Sequence, residues 1–159
     1  MADGGWILSG NVMANPLAVF RVDGSAQIGT GHVMRCLTLA DAMARRGIAC
    51  LFLARTLNDG LWTRLERSGH KLVRLSADGP MPNMAQGLYG EWLGTTEEHD
   101  AWATIHALEA QASLGRLFVV VVDHYGLGGH WECILRARIE APLLALDDLS
   151  RKHVADILI

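Results

Sequence analysis

The sequence has no excess of basic residues, no block of positive charge and no long hydrophobic run. Lysine and arginine number 14 against 17 aspartates and glutamates, a net charge of -3. A balance this close to neutral does not predict nucleic-acid binding. The wholly apolar runs, such as Ile48 to Ala54 and Leu117 to Val122, are too short to cross a membrane. No lysine or arginine precedes Arg21, whereas a secretory signal peptide carries early positive charge. We therefore expect neither a nucleic acid nor a membrane as partner.

Cysteine is also scarce. The three cysteines, Cys36, Cys50 and Cys133, lie far apart and show no metal-ligand spacing. An odd number of cysteines argues against a disulfide framework. We expect reduced, buried thiols and a cytoplasmic location.

Half of the residues are hydrophobic, and 159 residues suffice for one domain with a core. Residues 1–16 are interpreted as an N-terminal extension whose order the sequence does not define, and residues 17–159 as the domain. Segments typical of strands alternate with segments typical of helices. The predicted strands are 17–22, 48–54, 71–75, 117–122, 143–146 and a further one from 157. The predicted helices are 31–46, 59–67, 96–111, 131–139 and a last turn at 150–156, with a loop at 77–90.

This alternation predicts βαβ units and an α/β fold, a Rossmann-like parallel sheet flanked by helices. Gly47 and Gly69 are the expected stops of the first two helices, and Thr96 is the expected cap of the third. Ligand sites in such folds lie in the loops after the strands. The chain stops in an apolar run, Ile157 to Ile159, so we expect it to be one part of a larger protein.

The loop after the first predicted strand contains Gly29-Thr30-Gly31-His32. A histidine in the first turn of a helix faces the positive end of the helix dipole, which disfavours its protonation. A neutral imidazole is what a general base requires. The loop alone leaves alternatives open. Met34 replaces the third glycine of a dinucleotide fingerprint, His32 could simply cap its own helix, and the loop weakly resembles that of cytidylyltransferases.

Polar side chains follow two later strands. Asp123-His124-Tyr125-Gly126 comes directly after four valines, and these groups are costly to bury without partners. They are plausible for orienting the hydroxyls of a substrate, although Asp123 could instead cap the next helix. Asp147-Asp148, with His153 nearby, could hold a metal, or Asp148 could pair with the following basic residues. Tryptophans at 92, 102 and 131 are predicted in the core or at an interface.

The three motifs together, in this order, resemble the UDP-sugar hydrolases of pseudaminic acid biosynthesis. That family removes UDP from UDP-2,4-diacetamido-2,4,6-trideoxy-β-L-altropyranose, a step that serves flagellin glycosylation. The resemblance implies the N-terminal half of a GT-B fold, followed by a C-terminal nucleotide-binding domain that this chain lacks. One departure is Gly24, where the family tends to have alanine or serine.

The resemblance also implies a mechanism. His32 would act as general base on a water that attacks the anomeric carbon, the C1–O bond would break, and UDP would leave. No cofactor and no metal are implied. Tyr125 would line the sugar pocket. The residues expected to bind the UDP-sugar are Arg21, Ser25, Gly29, Gly31, Arg35, Asp123, His124, Tyr125 and Asp148.

Three interpretations remain. The first is the hydrolase, with the chain as its N-terminal half and UDP bound weakly or not at all by this half alone. The second is a non-catalytic or truncated sugar-binding module that needs a partner domain or partner chain. The third is a nucleotidyltransferase, which predicts binding of CTP or ATP by the chain alone.

Overall fold

The computed structural model describes residues 15–81 and 89–159. Within them, six strands form one parallel sheet in the order β3-β2-β1-β4-β5-β6. The strands are β1 (Pro16–Val22), β2 (Ala49–Ala54), β3 (Lys71–Arg74), β4 (Arg116–Asp123), β5 (Leu143–Ala145) and β6 (Ile157–Leu158). The helices are α1 (Gly31–Ala44), α2 (Asp59–Arg67), α3 (Gly90–Leu93), α4 (Glu97–Ala110) and α5 (Gly129–Arg136). The predicted α/β architecture is confirmed.

Both faces of the sheet are covered, which explains the near-continuous apolar strands. On β4, Val119 and Val121 belong to a core shared with α1 and α2. Val120 and Val122 belong to a second core, shared with α4 and α5. The pleat of the strand divides the four valines between these two cores, because successive side chains point to opposite faces.

Local signals place the helix ends. Asn58 caps α2 by accepting a hydrogen bond from the Leu61 amide at 2.9 Å. Thr96 caps α4, as predicted, through a 3.2 Å hydrogen bond from the His99 amide. Gly47 and Gly69, with φ of 79° and 82°, follow the ends of α1 and α2 in the left-handed conformation that glycine adopts without steric cost.

The helical turn predicted at 150–156 is wrong. No helix forms there because the polar groups of the segment find partners elsewhere in the fold. Arg151 donates to the backbone carbonyls of Tyr125 and Leu127, and the Val154 amide donates to Glu132. These tertiary hydrogen bonds take the place of the backbone hydrogen bonds that a helix would form.

Other predictions need smaller corrections. Helix α5 begins at Gly129 rather than Trp131, and the short helix α3 was not predicted. Cys133 is exposed, whereas Cys36 and Cys50 are buried as expected. Residues 1–14 of the predicted extension and 82–88 of the predicted loop lie outside the described residues, and the domain boundaries stay a prediction. No helix in the described ranges is both long and apolar enough to span a membrane.

The order of the strands positions the site. Strands β1 and β4 are neighbours at the centre of the sheet. The chain proceeds from β1 to one edge of the sheet and from β4 to the other. Their carboxyl ends therefore diverge into α1 on one face and α5 on the opposite face. This is the switch point of an open parallel sheet, where a crevice for a ligand opens.

Candidate active site

His32 and Asp123 meet at the switch point. Asp123 is the last residue of β4, and His32 is the second residue of α1. Gly29, with φ of 86°, turns the loop that leads into this helix. The His32 Nδ1 lies 2.5 Å from the Asp123 Oδ1, and the two side chains are 6% and 0% exposed. A carboxylate on Nδ1 selects the tautomer whose Nε2 can accept a proton.

Arg35 holds the carboxylate from the same helix. It lies three residues after His32, and residues at this spacing share a helix face. Its Nε is 2.5 Å from the Asp123 Oδ2 and its Nη2 is 2.6 Å from the Oδ1, a bidentate pair. Burial alone would raise the pKa of Asp123, but the hydrogen bonds from Arg35 and His32 outweigh burial and lower that pKa. Asp123 is therefore ionised at neutral pH.

Tyr125 and Asp148 complete the arrangement. The Tyr125 ring packs edge-on against the His32 ring, with centroids 4.5 Å apart. Its hydroxyl donates to the Asp148 Oδ1 at 2.5 Å, which raises the pKa of Tyr125. Asp148 also lies 3.5 Å from Arg35 and is 58% exposed, so it borders solvent. We call these residues the switch-point cluster, which consists of His32, Arg35, Asp123, Tyr125 and Asp148.

Two of the residues predicted to bind substrate, Arg21 and His124, are buried outside this cluster. Arg21 is 0% exposed and His124 is 2% exposed. The structure separates His124 from Asp123 and Tyr125, and a direct contact of His124 with a substrate stays a prediction. Asp123 follows Val121 onto the α1 side, and His124 follows Val122 onto the opposite side. There the His124 Nε2 lies 3.3 Å from Asp23, and its Nδ1 accepts from the Gly126 amide.

Arg21 belongs to a separate set of charged groups, which we call the buried arginine network. Asp100 accepts from the Arg21 Nε at 2.9 Å and Nη2 at 2.7 Å. It also accepts from the Arg55 Nε at 3.1 Å and from the Trp131 indole at 3.1 Å. Arg21 forms a second ion pair, with Asp23, at 2.9 Å. Every guanidinium and carboxylate of the network is 2% exposed or less, so the network joins secondary-structure elements in the interior. A direct contact of Arg21 with a substrate stays a prediction.

Sequence reasoning missed the partners Arg55 and Asp100. Asp100 lies in the first turn of α4, where an acidic residue is usually explained by the helix dipole. Its spacing on the buried face of α4, beside Ala101 and Thr104, is the signal that could have identified it.

The loop residues predicted to bind substrate border the cluster. The Ser25 hydroxyl accepts from the amides of Gln27 and Ile28 at 3.2 and 3.1 Å, which shapes the loop. Gly31 opens α1 beside unoccupied space, since no atom lies within 4 Å of where a Cβ would stand. Direct contact of Ser25, Gly29 and Gly31 with a substrate stays a prediction.

The adjacent aspartates Asp147 and Asp148 contact different partners. Asp147 pairs with Arg151 at 2.8 Å, and its other oxygen lies 3.4 Å from the His153 Nε2. Asp148 instead faces Tyr125 and Arg35. The expected pairing of Asp148 with Arg151 is therefore wrong. Over residues 15–81 and 89–159, no three His, Cys, Asp or Glu side chains are grouped as metal ligands.

Comparisons with known proteins agree with this architecture. No protein-family model matches the chain. A curated protein of Campylobacter jejuni, named UDP-2,4-diacetamido-2,4,6-trideoxy-beta-L-altropyranose hydrolase, is 25% identical over 141 residues. The match covers 89% of this chain and 40% of that protein, so the chain spans two fifths of its relative. The resemblance predicted from the three motifs is confirmed.

A solved structure confirms the fold. MurG of Acinetobacter baumannii, a GT-B protein, matches with a TM-score of 0.53 at 12% sequence identity. The match covers 83% of this chain and 34% of MurG. The chain therefore has a Rossmann-like fold similar to part of a GT-B protein, and its sequence is similar to part of a UDP-sugar hydrolase.

Proposed function

We propose that this chain is the base-bearing half of an enzyme that hydrolyses a UDP-linked diacetamido-trideoxy sugar in pseudaminic acid biosynthesis. The observation that supports this most strongly is the His32–Asp123 pair at the switch point, with 2.5 Å between nitrogen and oxygen. An imidazole oriented by an ionised carboxylate is the usual arrangement of a general base.

The reaction follows from that pair. The His32 Nε2 takes a proton from a water molecule, and the water oxygen bonds to the anomeric carbon. The bond from that carbon to the phosphate oxygen breaks, and its electron pair leaves with UDP. Asp123 stabilises the imidazolium that forms. Arg35 keeps Asp123 ionised and in place, because it binds both carboxylate oxygens.

The nucleotide needs a further part of the protein. The switch-point cluster offers one cation, Arg35, whose guanidinium already binds Asp123. A leaving diphosphate requires more positive charge or donors than this. We therefore propose that a C-terminal domain, or a partner chain, holds UDP and closes over the cluster. Because its three cysteines are free thiols, we also propose that the enzyme is located in the cytoplasm.

A UDP-release assay tests the proposal. It compares the 159-residue chain with the product of its complete reading frame, each with the UDP-sugar as substrate. We expect release from the complete product and tight UDP binding only there. His32→Gln should lower kcat by about 100-fold or more, the usual contribution of a general base.

The matched control is His106→Gln. His106 is an exposed histidine on α4, which covers the opposite face of the sheet, and this variant should retain full activity. Undiminished UDP release by His32→Gln would refute the proposal. Binding of CTP or ATP by the chain alone, without UDP release, would favour nucleotidyl transfer instead.

A further inference from the structure

One arginine joins the two loops whose side chains meet in the switch-point cluster. The Arg151 Nη1 donates to the backbone carbonyls of Tyr125 and Leu127, at 2.6 and 3.0 Å. The Arg151 Nε and Nη2 each lie 2.8 Å from the Asp147 Oδ1. The backbone amide of Arg151 donates to the other oxygen of this carboxylate at 3.0 Å. Arg151 therefore links the loop after β4 to the loop after β5.

The carboxylate that Arg151 binds is itself held near α5. Asp147 is 1% exposed, and its Oδ2 lies 3.4 Å from the His153 Nε2. The His153 Nδ1 lies 2.5 Å from Glu132, a buried residue of α5. Contacts thus run without a gap from α5 to the backbone of Tyr125. Because the guanidinium is a planar, rigid fork, a fixed carboxylate on one side sets where the carbonyls on the other side lie.

Arg151 contacts Tyr125 at both its backbone and its ring. Tyr125 lies in a turn that is closed by a 3.0 Å hydrogen bond from the Leu127 amide to the His124 carbonyl. The guanidinium carbon of Arg151 lies 5.8 Å from the centre of the Tyr125 ring, within the range of a cation–π contact. Loss of the guanidinium should therefore let this turn, and the ring that it carries, shift.

We propose that Arg151 is a positioning residue, which holds Tyr125 against Asp148 and thereby orients the ring of the catalytic base. Arg151 binds the carbonyl of Tyr125 itself and the carboxylate of the residue before Asp148. Tyr125 and Asp148 meet at 2.5 Å, and Tyr125 packs edge-on against His32. This inference rests on the proposed function, because the orientation of His32 affects the rate only if His32 is the base.

The first test uses the 159-residue chain and needs no catalysis. The chain contains two tyrosines, so tyrosine labelled with carbon-13 at Cζ gives two NMR signals. The Tyr125 signal is the one that Tyr125→Phe removes. Asp148→Asn removes the charge from the acceptor of the Tyr125 hydroxyl, and it defines the direction in which the signal moves when this hydrogen bond weakens. We expect Arg151→Ala to move the Tyr125 signal in the same direction.

Two further variants serve as controls. Arg136→Ala is the matched control, because Arg136 binds the same segment through an ion pair with Asp156 at 3.0 Å and the carbonyl of Val154. It should leave the Tyr125 signal in place. Arg151→Lys keeps the positive charge, but its single ammonium group cannot reproduce the fork. We expect it to fold and still to move the Tyr125 signal, and it decides the question if Arg151→Ala does not fold.

The second test measures UDP release by the product of the complete reading frame. A displacement of about 1 Å in a catalytic group can lower a rate by about 100-fold, so Arg151→Ala should lower kcat by about that factor. KM for the UDP-sugar should change little, because we propose that another part of the protein holds UDP. Arg151→Lys should recover part of the lost kcat, and Arg136→Ala should retain all of it.

The results distinguish this inference from the proposed function. A Tyr125 signal that stays in place in folded Arg151→Ala, an equal movement in Arg136→Ala, or an effect confined to KM would overturn the positioning role. UDP release that depends on His32 would stand in each of these cases. Conversely, no UDP release from the complete wild-type product would refute the hydrolase and with it any effect of Arg151 on the rate. A Tyr125 signal that still moves would then leave Arg151 as a clamp of the fold alone.

Discussion

Removing the carboxylate of Asp100 should cost this domain a large part of its stability. Asp100 is 0% exposed and accepts hydrogen bonds from two arginines and from Trp131. In Asp100→Ala, Arg21 retains only Asp23 as a charged partner, and Arg55 retains the Ser76 carbonyl. Two buried guanidinium groups then share one carboxylate, that of Asp23, and one positive charge is left without a balancing charge.

The magnitude follows from this loss. Breaking a buried ion pair by removing one partner costs about 3–5 kcal/mol, against a total stability of about 5–15 kcal/mol for a typical domain. At roughly 2–4 °C per kcal/mol for a chain of this size, the melting temperature should fall by about 6–20 °C. Asp100→Asn keeps the volume and one acceptor oxygen, so we expect a smaller loss.

Urea unfolding followed by circular dichroism measures the change in free energy of unfolding. Asp78→Asn is the matched control, because Asp78 is exposed and, among the described residues, its carboxylate accepts a hydrogen bond from Ser76 within its own turn. It should change stability by less than about 0.5 kcal/mol. A loss below about 1 kcal/mol in Asp100→Ala would show that the network is not coupled to folding as its geometry implies.

Two further predictions concern the fold. In the buried arginine network, burial by itself would raise the pKa of Asp100, but Arg21 outweighs it and lowers that pKa below the ordinary 3.8. The ionised Asp100 therefore contributes fully to the free energy of unfolding at pH values above its pKa in the unfolded chain. This contribution is lost as the pH falls below that pKa, so the urea midpoint should drop steeply below about pH 4. Gly24→Ala places a Cβ 2.5 Å from the Leu61 Cδ1 and should cost about 1–3 kcal/mol. Gly31→Ala, in open space, is its control and should cost little. Equal urea midpoints for the two variants would contradict the packing argument.

Much of the fold could be predicted from local patterns. The alternation of apolar strands and capped helices sufficed for the parallel sheet, because each signal is confined to one segment. The rule that sites follow the carboxyl ends of strands also placed His32, Asp123 and Asp148 in loops that meet. Those loops do converge, and His32 contacts Asp123 across 91 residues of chain.

Which side chains contact one another could not be predicted from these local patterns. Asp123 and His124 are adjacent in sequence, yet the pleat sends them to opposite faces of the sheet, and only one of them reaches His32. Asp147 and Asp148 separate in the same manner.

Arg21 illustrates the same limit. The family resemblance implies that Arg21 contacts the substrate, and this stays a prediction. In the structure its charge is matched by Asp100, 79 residues away on α4. Composition and periodicity thus determine which elements form and in what order. Which polar groups are left to face a substrate depends on the partners that packing brings together, because a charge can be buried only where an opposite charge meets it.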